Sequence, residues 1–212
     1  MEEIKLQHVL PGDIEKTSFE IITREMGDKV LDPKQEPVIK RVIHTSADFD
    51  YLDNLCFSKD VVDMMQQAIR EGACIVTDTQ MAKAGINKKR LATYGGEVFC
   101  FMSDDDVAAI AKKQGSTRAV ASMDKAAGLD QKLIFAVGNA PTALVRLYEL
   151  IEEGKLSPAG IIGVPVGFVN VVEAKELIMR APVPYIVARG RKGGSNIAAA
   201  IVNALLYSMK EE

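Results

Sequence analysis

Apolar positions along this chain gather into two kinds of pattern. Five short runs, Ala73 to Thr77, Val98 to Met102, Lys132 to Val137, Gly160 to Val164 and Tyr185 to Ala188, are nearly continuous in apolar residues, as strands buried on both faces are. Between and after them the spacing lengthens to that of amphipathic helices, at Val107 to Lys113, Ala140 to Glu153, Val171 to Met179 and Asn196 to Met209. Strand and helix in alternation predict an α/β fold, a doubly wound sheet of about five parallel strands covered on both faces. Ahead of the first strand, Ile14 to Met26, Pro37 to about Ser46 and Lys59 to Glu71 read as helices with no convincing strand between them, which predicts an N-terminal helical layer. Pro37 suits a first helical turn, Asp60 stands near the start of the third segment, and Gly72 lies just past its end.

Composition leaves this architecture in place and narrows the function. The 212 residues suit one substantial domain, so the whole chain, 1–212, is expected to form a single unit. With 48% apolar and 26% charged residues it is neither fibrous nor disordered. A net charge of −3 argues against a nucleic-acid binder, which carries a basic excess to neutralise phosphates. No stretch approaches the roughly 18 consecutive apolar residues of a membrane span, and the acidic start, Met1 to Glu3, lacks a signal peptide's basic region, so a cytoplasmic location is expected. Cys56, Cys74 and Cys100 lack paired spacing and read as reduced thiols in packing roles. His8 and His44 are the only histidines, which excludes a histidine-rich metal site, and no catalytic metal is expected.

Three strands run into glycine-bearing turns and then helices: Gly138-Asn139-Ala140-Pro141-Thr142, Gly163-Val164-Pro165-Val166-Gly167-Phe168, and Gly190-Arg191-Lys192-Gly193-Gly194-Ser195-Asn196. In an open parallel sheet all three lie at the carboxyl edge of the strands, where such folds bind ligands. Each could offer backbone amides to an anion. In the third, Arg189, Arg191 and Lys192 gather positive charge where Gly193 and Gly194 let backbone approach a ligand. That suits a carboxylate or phosphate, although a plain strand-to-helix turn with solvated basic residues fits the same local sequence. Neither P-loop spacing nor a G-x-G-x-x-G after a strand is present, which disfavours a nucleotide cofactor.

On the Pro37 to Ser46 helix, Val38, Ile39, Val42 and Ile43 share one arc facing the core. Arg41 and His44 fall on the opposite side, three apart and able to be neighbours, with Asp48 joining them if the helix runs one turn further. Local context alone favours a solvated surface histidine.

Five motifs in order change that weighting: Ile14-Glu-Lys-Thr-Ser-Phe19, Arg41-Val-Ile-His-Thr-Ser-Ala-Asp-Phe-Asp50, Gly138-Asn-Ala-Pro-Thr-Ala-Leu144, Gly163-Val-Pro-Val-Gly-Phe-Val169 and Gly190-Arg-Lys-Gly-Gly-Ser195. Together they resemble the precorrin-8X (cobalt-precorrin-8) methylmutases of the vitamin B12 pathway, over nearly the whole chain. The resemblance implies a flavodoxin-like architecture, a homodimer with active sites near the subunit interface, and an isomerase. Its implied tetrapyrrole substrate is precorrin-8 or cobalt-precorrin-8, in which a methyl group moves from C-11 to C-12 to give hydrogenobyrinic acid or its cobalt counterpart. No redox cofactor or methyl donor is implied.

By the same resemblance His44 is the catalytic proton donor or acceptor, a role that suits imidazole because it titrates near neutrality. Arg41 and Ser18 match family positions that contact substrate, and Arg118, in Ser116-Thr-Arg-Ala119, lies where the family also has Thr-Arg. Asn139, Arg191, Gly193 and Gly194 join them by motif and position at the sheet edge. The segment Thr77-Asp-Thr-Gln-Met81 and the basic run Lys88-Lys-Arg90 depart from the family pattern; the run fits either a solvated face or a local field that attracts a polyanion. A noncatalytic protein holding a corrinoid or another polycarboxylate in the same cleft is the alternative, and a flavin- or nucleotide-binding domain a third reading.

Overall fold

A computed structural model describes residues 8–209 of the chain, so the acidic start, Met1 to Glu3, lies outside the described residues. The helices are α1 (Ile14–Glu25), α2 (Glu36–Ser46), α3 (Tyr51–Asn54), α4 (Val61–Arg70), α5 (Gln80–Gly85), α6 (Lys88–Ala92), α7 (Asp105–Gln114), α8 (Arg118–Ala127), α9 (Pro141–Glu152), α10 (Val171–Ile178) and α11 (Ser195–Ser208). The strands are β1 (Leu55–Phe57), β2 (Cys74–Thr77), β3 (Val98–Phe99), β4 (Leu133–Val137), β5 (Gly160–Gly163) and β6 (Tyr185–Ala188). They form one sheet in the order β1-β6-β5-β4-β2-β3. The run read as Val98 to Met102 pairs only over Val98–Phe99.

Strands β2 to β6 are mutually parallel, and their spatial order is that of a flavodoxin-like doubly wound sheet. Side-chain alternation along each strand feeds two cores. In β4, Leu133, Phe135 and Val137 enter the layer beneath α8, α9 and α10, while Ile134 and Ala136 enter the layer shared with α2, α4, α5 and α11. The same division holds in β6, where Val187 faces the first layer and Ile186 and Ala188 the second. This double burial explains why the strands read as continuous apolar runs.

The expectation of an all-parallel sheet with no strand ahead of Ala73 is corrected by β1, which pairs antiparallel with β6 from Leu55↔Ala188 to Phe57↔Ile186. It is extended by Arg189 N–H donating to the Asn54 carbonyl at 2.8 Å and Ser58 N–H to the Tyr185 carbonyl at 3.0 Å. Three residues between polar neighbours carry too little alternation to be read as a strand; β1 is fixed by the open edge of β6.

The α2 helix fulfils its pattern, with Val38, Ile39, Val42 and Ile43 buried and Pro37 in the first turn. It lies against α11. It does not run a further turn to Asp48: Ala47 adopts a left-handed conformation at φ 53°, its N–H donating to the Ile43 carbonyl at 2.7 Å, and the chain leaves the helix axis there. The basic run divides: Lys88 and Lys89 are exposed, whereas Arg90 donates to the Leu206 carbonyl at 2.8 Å and the Met209 carbonyl at 2.9 Å, capping the end of α11.

Candidate active site

His44 is exposed on α2, and its ring stacks on Phe19 of α1 with centroids 5.2 Å apart and planes 21° apart. The Arg41 guanidinium lies over the same Phe19 ring at 4.8 Å and over Tyr207 of α11 at 5.2 Å, and it is ion-paired with Glu15. One aromatic residue of α1 therefore orients both predicted side chains of α2. Ser18 stands one residue before Phe19, its hydroxyl donating to the Ile14 carbonyl at 2.8 Å. A groove of about 440 Å³ beside Arg41 is lined by Phe19, Pro37, Lys40 and Tyr207. A larger groove of about 550 Å³, between Met64 and Pro184, opens at the opposite edge where β4 to β6 begin, away from every predicted site residue.

The glycine turns stand at the carboxyl edge as expected, and they pack on one another. A Cβ on Gly138 would come within 2.6 Å of Ser195 Cα and 2.7 Å of the Gly194 carbonyl oxygen; one on Gly193 would meet the Val164 carbonyl at 2.1 Å. The Gly194 N–H donates to Val164 O at 2.9 Å, and the Ser195 and Thr79 hydroxyls share a hydrogen bond of 2.8 Å. Backbone against backbone leaves no room to yield. Gly138→Ala is expected to destabilise the protein by about 1–3 kcal/mol through overpacking, read from the midpoint of urea unfolding.

The expectation that every turn could offer its amides to an anion is corrected for the first of them. Asp78, fully buried just past β2, accepts from Gly138 N–H at 2.8 Å, Asn139 N–H at 2.8 Å and Ala140 N–H at 2.6 Å. Between β2 and β4 the strand order reverses, and this crevice is where folds of this type hold a phosphate. Here the chain's own carboxylate fills it. Burial pushes the Asp78 carboxyl up from its ordinary pKa, while the three amide donors pull it down. Its signal in the sequence is a lone acid between two threonines directly after a buried strand, inside the unassigned Thr77 to Met81 segment.

The Asn139 side chain remains exposed on the first turn, and Arg118 is exposed at the start of α8. Thr117, which caps α8 by accepting from Val120 N–H at 3.2 Å, also meets the Thr142 hydroxyl of α9 at 3.2 Å, so Arg118 and the first turn share one rim. In the third turn Arg191 is exposed over the Phe168 ring at 5.4 Å, and Arg189 is paired with Glu176. Lys192 donates to Asp48 and Asp50, each at 2.6 Å. Hydrogen bonding from Lys192 holds the Asp48 carboxyl below the usual carboxylate range. The left-handed turn at Ala47 thus removes Asp48 from the His44 face and uses it to moor the third turn beside the end of α2.

The structure accordingly brings His44, Arg41 and Ser18 together around Phe19, Arg118 and Asn139 together at the first turn, and Arg191, Gly193 and Gly194 together at the third. The two aspartate contacts of Lys192 link the first and last of these groups. Among the described residues no cluster of His, Cys, Asp and Glu could hold a metal ion, and all three cysteines are free thiols.

Comparison with known proteins extends across this whole arrangement. The sequence profile of the family described as precorrin-8X methylmutase matches residues 13–208. A cobalt-precorrin-8 methylmutase of Salmonella typhimurium is 48% identical over 207 residues, spanning 95% of this chain and 97% of that protein. Another of that name from Priestia megaterium is 45% identical, spanning 96% and 90%. The crystal structure of a precorrin-8x methyl mutase from Thermus thermophilus superposes with a TM-score of 0.84 at 42% identity, covering 92% of this chain and 96% of that one. The matched span begins just before α1 and ends with α11, taking in each of the groups described above, and the chain belongs to the precorrin-8X methylmutase family.

Proposed function

We propose that this protein moves a methyl group from C-11 to C-12 of cobalt-precorrin-8 or precorrin-8, giving cobyrinic or hydrogenobyrinic acid, with His44 passing a proton to and from the macrocycle. The protein is a methylmutase, an isomerase of corrin biosynthesis. One carbon–carbon bond breaks and another forms within the same molecule, so no atom is supplied from outside and no electron is gained or lost. Protonation of a ring nitrogen or its conjugated neighbour draws electron density from the migrating centre and lowers the barrier.

The observation that carries the assignment of His44 is its place beside Arg41 on the exposed face of α2, both set by Phe19. An acid thereby stands next to a cation suited to a substrate carboxylate. Arg118, Asn139, Ser18 and the third turn, with Arg191 and Gly193, supply the spread of donors that acetate and propionate arms require, whereas the Gly194 N–H is taken by the Val164 carbonyl and Gly194 serves the close packing of the turns. We read the whole chain as one domain working in the cytoplasm as a homodimer. The exposed apolar side chains of Ile14, Phe168 and Val169 support a subunit contact, and no described helix is long and apolar enough to cross a membrane.

Purified protein given cobalt-precorrin-8 and, separately, metal-free precorrin-8 with no added cofactor is expected to change the absorption spectrum. The names of the two relatives above make the cobalt form the first to try. The rearranged acid should also raise the melting temperature, by about 2.7 kcal/mol of stabilisation at a hundredfold excess over its Kd. Binding without any spectral conversion would leave the noncatalytic corrinoid-binding reading in its place.

A further inference from the structure

Lys175 lies on the core stripe of α10 with Val171, Ala174 and Ile178, and none of it reaches solvent. A buried ammonium with no carboxylate partner among the described residues is costly, and a methionine would fill the same volume at less cost. What it touches accounts for its presence. Its Nζ donates to the carbonyls of Gly190 and Lys192, each at 2.8 Å. The carbonyl between them, that of Arg191, accepts from Gly167 N–H at 3.2 Å. Three successive carbonyls of the third turn are therefore held by α10 and the second turn.

In a trans peptide the N–H points opposite to the preceding C=O. Fixing carbonyls 190 and 192 toward the buried ammonium and carbonyl 191 toward the second turn directs the N–H groups of Arg191, Lys192 and Gly193 away from these partners. Among the described residues none of these three N–H groups has an acceptor. The first turn differs, because Asp78 already takes its amides. Burial lowers the Lys175 pKa to about 8, which leaves it a cation at neutral pH.

We propose that Lys175 is a positioning residue for substrate: by fixing the peptide planes of residues 190–192 it makes the outward N–H groups of Arg191, Lys192 and Gly193, with the Arg191 guanidinium, a single site for one carboxylate arm. Successive amides aimed at one point form an anion-binding concavity, and the buried charge beneath adds to its field. The inference rests on the methylmutase reading and goes further by giving one substrate carboxylate its seat.

The test is product affinity and steady-state kinetics of the full-length protein carrying Lys175→Met. Removal of the charge-assisted anchor is expected to raise KM and the Kd for the rearranged acid at least about tenfold. The kcat should fall less than about threefold, and the melting temperature should fall by only a few degrees, because the loss of a donor to two carbonyls is partly offset by relief of the buried charge. A merely structural lysine would lower the melting temperature and leave the Kd unchanged. Combined with Arg191→Ala the losses should be less than additive, because both variants disable one site. If the methionine variant does not fold, Lys175→Gln is read by the same criteria. A Kd within twofold of the native value, or fully additive losses, overturns the role of Lys175 alone, whereas a native protein that does not bind the acid overturns the methylmutase reading with it.

Discussion

Replacing His44 by alanine is expected to slow conversion of the tetrapyrrole by about 10²- to 10⁴-fold, the range for loss of a positioned general acid or base. The imidazole is exposed and held by stacking on Phe19 at 5.2 Å. Its removal should therefore change the melting temperature by no more than about 2 °C, as for other surface substitutions. Arg41 keeps its place over Phe19 and Tyr207 and its pairing with Glu15 without help from His44. Product affinity should accordingly stay within about threefold, because the proposed roles in binding and proton transfer fall to separate side chains. Single-turnover absorbance and a product titration measure the two quantities. Turnover within fivefold of native, at unchanged stability, would remove His44 from the chemistry.

Asp78→Ala should have the largest effect on stability. The substitution strands three N–H groups at the start of α9, each costing about 1–3 kcal/mol when left without an acceptor. Relief of the buried carboxylate's own desolvation offsets part of this, and a net loss of about 3 kcal/mol lowers the melting temperature by roughly 6–12 °C in a chain of this size. The void left behind has the shape and donors of a small anion site. Sodium formate should thus raise the melting temperature of the variant in a saturable way and leave the native protein, whose site is filled, unaffected. A variant that melts with the native protein, or equal stabilisation of both by formate, would show that Asp78 is not the internal anion.

The parallel sheet and its helices were legible because residues buried on both sides of a strand must be apolar throughout. Local sequence could not reveal β1, since Leu55, Cys56 and Phe57 become a strand only by meeting β6 more than a hundred residues away. The place of Asp48 stayed conditional for a different reason: helical periodicity says which face a residue would take, not where the helix stops, and Ala47 ends it without a glycine or proline as signal. Of the groups at the site, Arg41 and His44 could be placed on one face of α2 by spacing alone. That Phe19 holds both is a tertiary fact. Asp78 and Lys175 share a different mark, a charged residue where the pattern calls for an apolar one. Lys175 falls on the stripe of Val171, Ala174 and Ile178, and Asp78 directly follows a buried strand. Such violations identify residues whose charge is used inside the protein.

The packing of α2 on α11, and of β1 on β6, also governs when activity can appear as the chain is synthesised. By the time residue 180 has been added, His44, Arg41 and the first two glycine turns exist as covalent structure, yet Val38, Ile39, Val42 and Ile43 still lack the surface that α11 will supply. A nascent chain at that length offers an uncovered apolar face, an occasion for a chaperone rather than a catalyst. A chain without α11 is thus expected to leave the buried face of α2 uncovered and His44, the proposed acid, without its support.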